Sequence, residues 1–109
     1  MPAIIESTDP VFTQKVIDVF KTIYDPEIPV DIWELGLIYE IKVSMEKEVF
    51  VKMTLTSPNC PAAESLPQEI EEKIRSMEEV KSMKLEITFD PPWERDMMSE
   101  VAQLELGFM

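Results

Sequence analysis

Residues 37–55, LIYEIKVSMEKEVFVKMTL, decide the fold. Leu37, Tyr39, Ile41, Val43 and Met45 alternate with Glu40, Lys42 and Ser44, a period of two that lays an apolar and a polar face along one strand. Val49, Val51, Met53 and Leu55 then alternate with Lys52, Thr54 and Thr56, the pattern of a second hairpin arm. The polar connection Glu46-Lys47-Glu48 lacks glycine, which predicts a loop longer than two residues.

Upstream, Asp9 and Pro10 read as N-cap and first residue of a helix, and Phe12, Val16, Phe20 and Ile23 recur at helical spacing, so the helix ends near Tyr24. Asp25-Pro26-Glu27-Ile28-Pro29 cannot continue it, because two prolines stand so close together. An irregular loop rich in carboxylates follows, with Asp31 and Glu34 further along, and Gly36 marks the turn into the strand.

Downstream, Ala63, Leu66, Ile70, Ile74 and Met77 keep helical register while Glu69, Glu71, Glu72, Lys73 and Arg75 face water. Pro67 interrupts this pattern, and Ser65-Leu66-Pro67-Gln68 resembles a capping box with a helix start of its own. The phase shared by Ala63, Leu66, Ile70 and Ile74 favours one helix from Pro61, kinked or strained near Pro67. Met83, Leu85, Ile87 and Phe89 alternate with Lys84, Glu86 and Thr88 as a third strand. Beyond Pro91-Pro92, Ser99 is placed to cap a short helix through Val101, Leu104 and Leu106.

The order is therefore α-β-β-α-β. It predicts an α+β two-layer domain with a three-stranded antiparallel or mixed sheet, both helices on one face, and a C-terminal loop with a short helix. A chain of 109 residues fits one domain over 1–109.

Ten basic against 22 acidic residues give a formal charge of -12, a field that repels nucleic acid and anionic lipid and attracts cations and basic protein surfaces. A solvated acidic surface explains the same excess without any function. Every apolar run falls short of the roughly 18 residues that cross a bilayer, and Met-Pro-Ala-Ile-Ile-Glu does not read as a signal peptide. A single cysteine makes no internal disulfide, so the expected compartment is the reducing cytoplasm.

That cysteine is the main functional suspect. Cys60 lies where the hairpin's second strand gives way to the helical pattern, and a helix N-terminus favours thiolate over thiol. Free cysteine is often simply buried, but Ser57, Pro58, Asn59 and Pro61 are not core-filling neighbours. Thr54, Thr56 and Ser57 carry hydroxyls that can donate to a thiolate, although threonine also suits a strand's outer face. Asp25, Glu27 and Asp31 are candidates for metal ligands or a general base, or are turn formers and solvated charges. The loop that bears them and the Cys60 loop can meet at one end of the sheet. Carboxylates beside a thiol raise its pKa unless a cation lies between, so an acidic loop there argues for metal over a bare nucleophile. With no histidine and one thiol, a stable iron-sulfur cluster within one monomer is implausible, whereas a homodimer or a partner can complete a ligand set. Two glycines leave no phosphate-binding glycine loop. Trp33 and Trp93, in Pro-flanked loops, suit either core packing or a partner interface.

At Asp25-Pro26-Glu27-Ile28-Pro29-Val30-Asp31-Ile32 with Leu35-Gly36-Leu37-Ile38-Tyr39, at Thr54-Leu55-Thr56-Ser57-Pro58-Asn59-Cys60-Pro61-Ala62, and at Pro91-Pro92-Trp93 with Met97-Met98-Ser99-Glu100, the chain resembles the small iron-sulfur cluster assembly domain family typified by SufT, PaaD and the small eukaryotic cytosolic cluster-assembly factor. The likeness runs nearly end to end. It implies an adaptor or carrier in iron-sulfur maturation, with Cys60 as the family's thiol and Asp25, Glu27, Thr56 and Ser57 around it. Iron or a transiently held cluster is the implied cofactor, and the assembly machinery or client proteins are the implied partners. The extra cysteines of the PaaD branch's C-terminal extension are absent up to Met109, which points to the SufT-like branch. Two other readings stay open: a thiol enzyme with Cys60 as nucleophile and Asp25 or Glu27 as base or orienting group, and an interaction subunit without chemistry.

Overall fold

A computed structural model describes residues 3–25, 28–56 and 62–107, with backbone alone over 62–64. The described elements are β1 (Ile4–Ser7), α1 (Pro10–Phe20), β2 (Ile38–Val43), β3 (Glu48–Met53), α2 (Ala62–Arg75), β4 (Ser82–Ile87), a 3-10 turn (Arg95–Met97) and α3 (Glu100–Glu105). The α+β class holds, but the sheet has four strands in the order β1-β2-β3-β4, not three. It is mixed: β1 runs parallel to β2, β2 antiparallel to β3, and β3 parallel to β4.

The extra strand is β1, which pairs Ile4 with Glu40 and Ser7 with Val43. Four residues without alternation carry no strand signature, and Ile4 and Ile5 stay exposed. Its stability comes from hydrogen bonds to a strand more than thirty positions away, which local pattern does not encode.

The first helix starts as its N-cap dictates. Asp9 accepts the Phe12 N–H at 3.0 Å, Pro10 opens the helix, and Phe12, Val16, Ile17 and Phe20 are buried. The helix ends at Phe20, short of Tyr24, although Ile23 still reaches the core. The second helix is one continuous element from Ala62 with Pro67 inside it, so the separate start at Ser65 is excluded. Leu66, Ile70 and Ile74 are its buried stripe.

The hairpin is present with a four-residue connection, 44–47, closed by the Ser44 N–H to the Glu48 carbonyl at 3.0 Å and by the Lys47 N–H to the Ser44 carbonyl at 3.1 Å. Alternation in β3 is as expected, with Val49, Val51 and Met53 buried. In β2 it is not. A register shift between Ile38 and Glu40 turns Ile38, Ile41 and Val43 to the core and leaves Tyr39 out of phase. Met45 lies in the connection, 84% exposed.

One core holds the apolar faces of α1, α2, β2 and β3 together with Met83 of β4. Each large side chain fully buried there contributes about 2 kcal/mol. The sheet's other face carries a ladder of Lys42, Glu40, Lys52 and Glu86, with N–O separations of 3.3 to 3.9 Å. Phe89, expected at the inner end of the last strand, lies beyond β4 and is exposed.

Candidate functional site

Because β2 and β3 are antiparallel, the start of β2 and the end of β3 share one edge of the molecule. The acidic loop enters there and the segment leading to Cys60 leaves there. A run of backbone hydrogen bonds joins them: the Thr54 N–H donates to Leu37 at 2.8 Å, the Leu37 N–H to Ile32 at 3.2 Å, and the Ile32 N–H to Ile23 at 2.9 Å. The Asp25 N–H donates to Val30 at 3.3 Å and closes the loop.

Asp25 is 5% exposed, and its carboxylate accepts the Ile28 N–H at 3.0 Å. A carboxylate so placed orders the turn as an Asx-type cap. Asp31 does the same for the next turn, accepting the Trp33 N–H at 3.1 Å and the Glu34 N–H at 3.0 Å. Burial pushes its carboxyl above the usual value of 3.8; the Glu34 N–H bond counteracts this, while the Glu34 charge adds to it. Thr56 sits half-buried just past Leu55. Glu27, Ser57 and Cys60 lie outside the described residues. In sequence Cys60 stands two positions before the first residue of α2.

Thr54, expected on the outer face, is fully buried. Its hydroxyl lies 3.5 Å from the Leu55 carbonyl and shares a side-chain hydrogen bond with Tyr39. Burial raises the Tyr39 phenol, the Thr54 bond lowers it, and the charge of Glu94 raises it further. Tyr39 in turn donates to the Pro91 carbonyl at 2.8 Å.

That contact belongs to a second layer over this edge, which sequence reasoning missed. The tail folds back across the turn at 33–37, with Trp93 Nε1 donating to the Leu35 carbonyl at 2.8 Å and the Ser99 N–H to the Glu34 carbonyl at 2.8 Å. Gly36, at φ +79, makes this possible: a Cβ there would stand 2.9 Å from the Met97 carbonyl carbon and closer still to its oxygen. Trp33 stacks on Phe20 with ring centroids 6.4 Å apart, so both tryptophans pack against the core. The signal available in the sequence was the pair Gly36 and Trp93, whose meaning depends on their meeting. Ser99 caps α3 as expected, accepting the Ala102 N–H at 3.2 Å, but Ala102 is the buried residue, and Val101 and Leu104 point outward.

Among the described residues no three Cys, Asp or Glu side chains gather as a metal site, and no helix is long and apolar enough to cross a membrane.

Comparison with known proteins agrees along most of the chain. Residues 13–87 match the family model described as iron-sulfur cluster assembly protein. An Fe-S protein maturation auxiliary factor of Porphyromonas gingivalis is 48% identical over 96 residues, 88% of this chain and 91% of that one. The Fe-S protein maturation auxiliary factor SufT of Staphylococcus aureus is 36% identical over 78% of this chain and 97% of its own length. Among solved structures, a domain of unknown function from Bacillus anthracis superposes with a TM-score of 0.82 at 31% identity, covering 91% of this chain and 94% of that one. The chain therefore belongs to the iron-sulfur cluster assembly protein family.

Proposed function

We propose that this protein is an accessory adaptor or carrier in the maturation of iron-sulfur proteins, acting in the cytoplasm through the thiol of Cys60. Iron or a cluster is its cargo. The observation that carries the reading is the hydrogen-bond run from Thr54 through Leu37 to Ile32 and Ile23, which ties the strand leading to Cys60 to the loop of Asp25 and Asp31. The names of the relatives, maturation auxiliary factors in two organisms, support the accessory role.

In this reading Cys60 supplies the soft ligand and Glu27 a hard one, while Asp25 orders the loop through Ile28 and adds negative charge. Thr56 and Ser57 offer hydroxyls to the sulfur. Cationic cargo removes the repulsion that these carboxylates would otherwise exert on a thiolate. One thiol per chain leaves the cargo's remaining positions to a second copy or to the assembly machinery and client, which suits transient holding and transfer.

Anaerobic reconstitution with iron and sulfide, read by absorption, tests this. The wild type is expected to take up chromophoric iron and Cys60→Ala to lose most of it. Equal uptake by both removes the thiol from the reading. Glu27→Gln is expected to weaken uptake less than Cys60→Ala does.

A further inference from the structure

Where α3 meets the loop after α1, the described residues leave an apolar patch exposed. Val101 is 58% and Leu104 61% exposed, three positions apart and so on one side of the helix, while Ala102 takes the buried side. Tyr24, 58% exposed, lines one cleft with Val101. Between Tyr24 and Val101 opens a cleft of about 200 Å³, and three of the side chains lining it are the carboxylates Asp31, Glu34 and Glu105.

Among the described residues no ion pair neutralises the charge of this cleft. Ion pairs among the described residues join Lys15, Lys42, Lys47, Lys52, Lys73, Arg75 and Lys81 to carboxylates elsewhere, and none reaches Asp31, Glu34 or Glu105. The three stand around a partly apolar cleft that water screens less than open surface. The turn beneath is held rigidly by the Asp31 carboxylate and by the Ser99 bond to Glu34, so the patch exists before any partner arrives.

We propose that this surface docks a short amphipathic segment of a partner protein, placing one Lys or Arg side chain in the cleft between Asp31, Glu34 and Glu105 and apolar side chains over Tyr24, Val101 and Leu104. Charge complementarity selects this occupant. A second copy of the chain would press like carboxylates together on a molecule already at -12, and nucleic acid and anionic lipid are repelled by the same field. A partner carrying charge alone would leave the apolar side chains wet, and an apolar partner would leave the carboxylates buried and unpaired. The docking role uses neither Cys60 nor iron, so it stands or falls apart from the thiol reading.

The test is an amide-shift titration of the full chain with a helical peptide of about 12 residues built from leucine and lysine, at physiological salt. Shifts are expected at Tyr24, at 31–34 and along α3. A peptide of equal charge with serine for leucine is expected to bind at least about tenfold more weakly. Val101→Ser with Leu104→Ser, and separately Glu34→Gln with Glu105→Gln, are each expected to weaken the leucine peptide about tenfold. Glu72→Gln with Glu78→Gln, a change of equal charge on and beyond the far end of α2, is expected to cost less than about twofold. Equal binding of the serine peptide, shifts centred elsewhere such as on Ile4–Ser7, or an equal loss in the Glu72 and Glu78 variant would overturn the proposal. So would sedimentation showing that Val101→Ser with Leu104→Ser dissociates a homodimer, since the occupant would then be a second copy.

Discussion

Gly36 is the residue on which the candidate edge turns, because the backbone is left-handed there and the Met97 carbonyl occupies the space a side chain would need. Gly36→Ala is expected to lower stability by about 2–4 kcal/mol, combining left-handed strain with displacement of the tail. Gly107 has a similar φ of +77 with open space around it, so Gly107→Ala should cost about 1 kcal/mol. Urea unfolding of the two variants measures the difference; equal losses would mean that the Met97 contact contributes nothing. Asp31 offers a pH signature. Its folded-state pKa lies above 3.8, so the native chain holds that proton more tightly than the unfolded chain does. Ionisation therefore costs stability at neutral pH, and the cost fades as pH falls through the folded value toward 3.8. Asp31→Asn keeps an acceptor for the Trp33 and Glu34 N–H groups and removes the charge. Its advantage over wild type, below about 1 kcal/mol for a half-buried group still screened by solvent, should be present at pH 7 and gone in acid. An advantage that grows on acidification would contradict the sign.

The second helix continues through Pro67, which has no N–H to donate back along the helix. Leu66, Ile70 and Ile74 hold it in the core on either side of the proline, and burial outweighs a local penalty of about 3 kcal/mol. Pro67→Ala is accordingly expected to raise the unfolding midpoint, by several degrees for a chain of this size. An unchanged or lower midpoint would mean that the proline's own packing matters more than the lost hydrogen bond. In the hairpin, Lys47 adopts φ 64 without being glycine. Its ammonium pairs with Asp9 and stands 4.5 Å from the Phe12 ring centroid, which ties the turn to the start of α1. Long elements with their own period, α1, β3 and α2, were legible in the sequence because each repeats a burial choice several times. The strand β1, the shift within β2 and the outward side of α3 were not, since each depends on what lies opposite.

At the scale of the whole molecule, the excess of negative charge opposes compaction while the ion pairs favour it. The pairs lie at the surface and contribute roughly 0–1 kcal/mol each, so self-repulsion at -12 is the larger effect. Added sodium chloride should therefore raise the thermal midpoint between low salt and about 0.5 M, where screening removes the repulsion over distances longer than the ion pairs. A midpoint that falls would show that the pairs dominate.

Local pattern was enough to announce the α+β class, the N-cap of α1, the hairpin, the continuous α2 and the order of its motifs, because periodicity and capping are read within a few neighbouring residues. The acidic loop's approach to the strand leading to Cys60, the tail laid over Gly36 and the fourth strand needed long-range contacts to appear. Hydrogen bonds such as Thr54 to Leu37 and Trp93 to Leu35 join positions far apart in the chain, and such a bond forms only once the rest of the fold has brought its partners within reach.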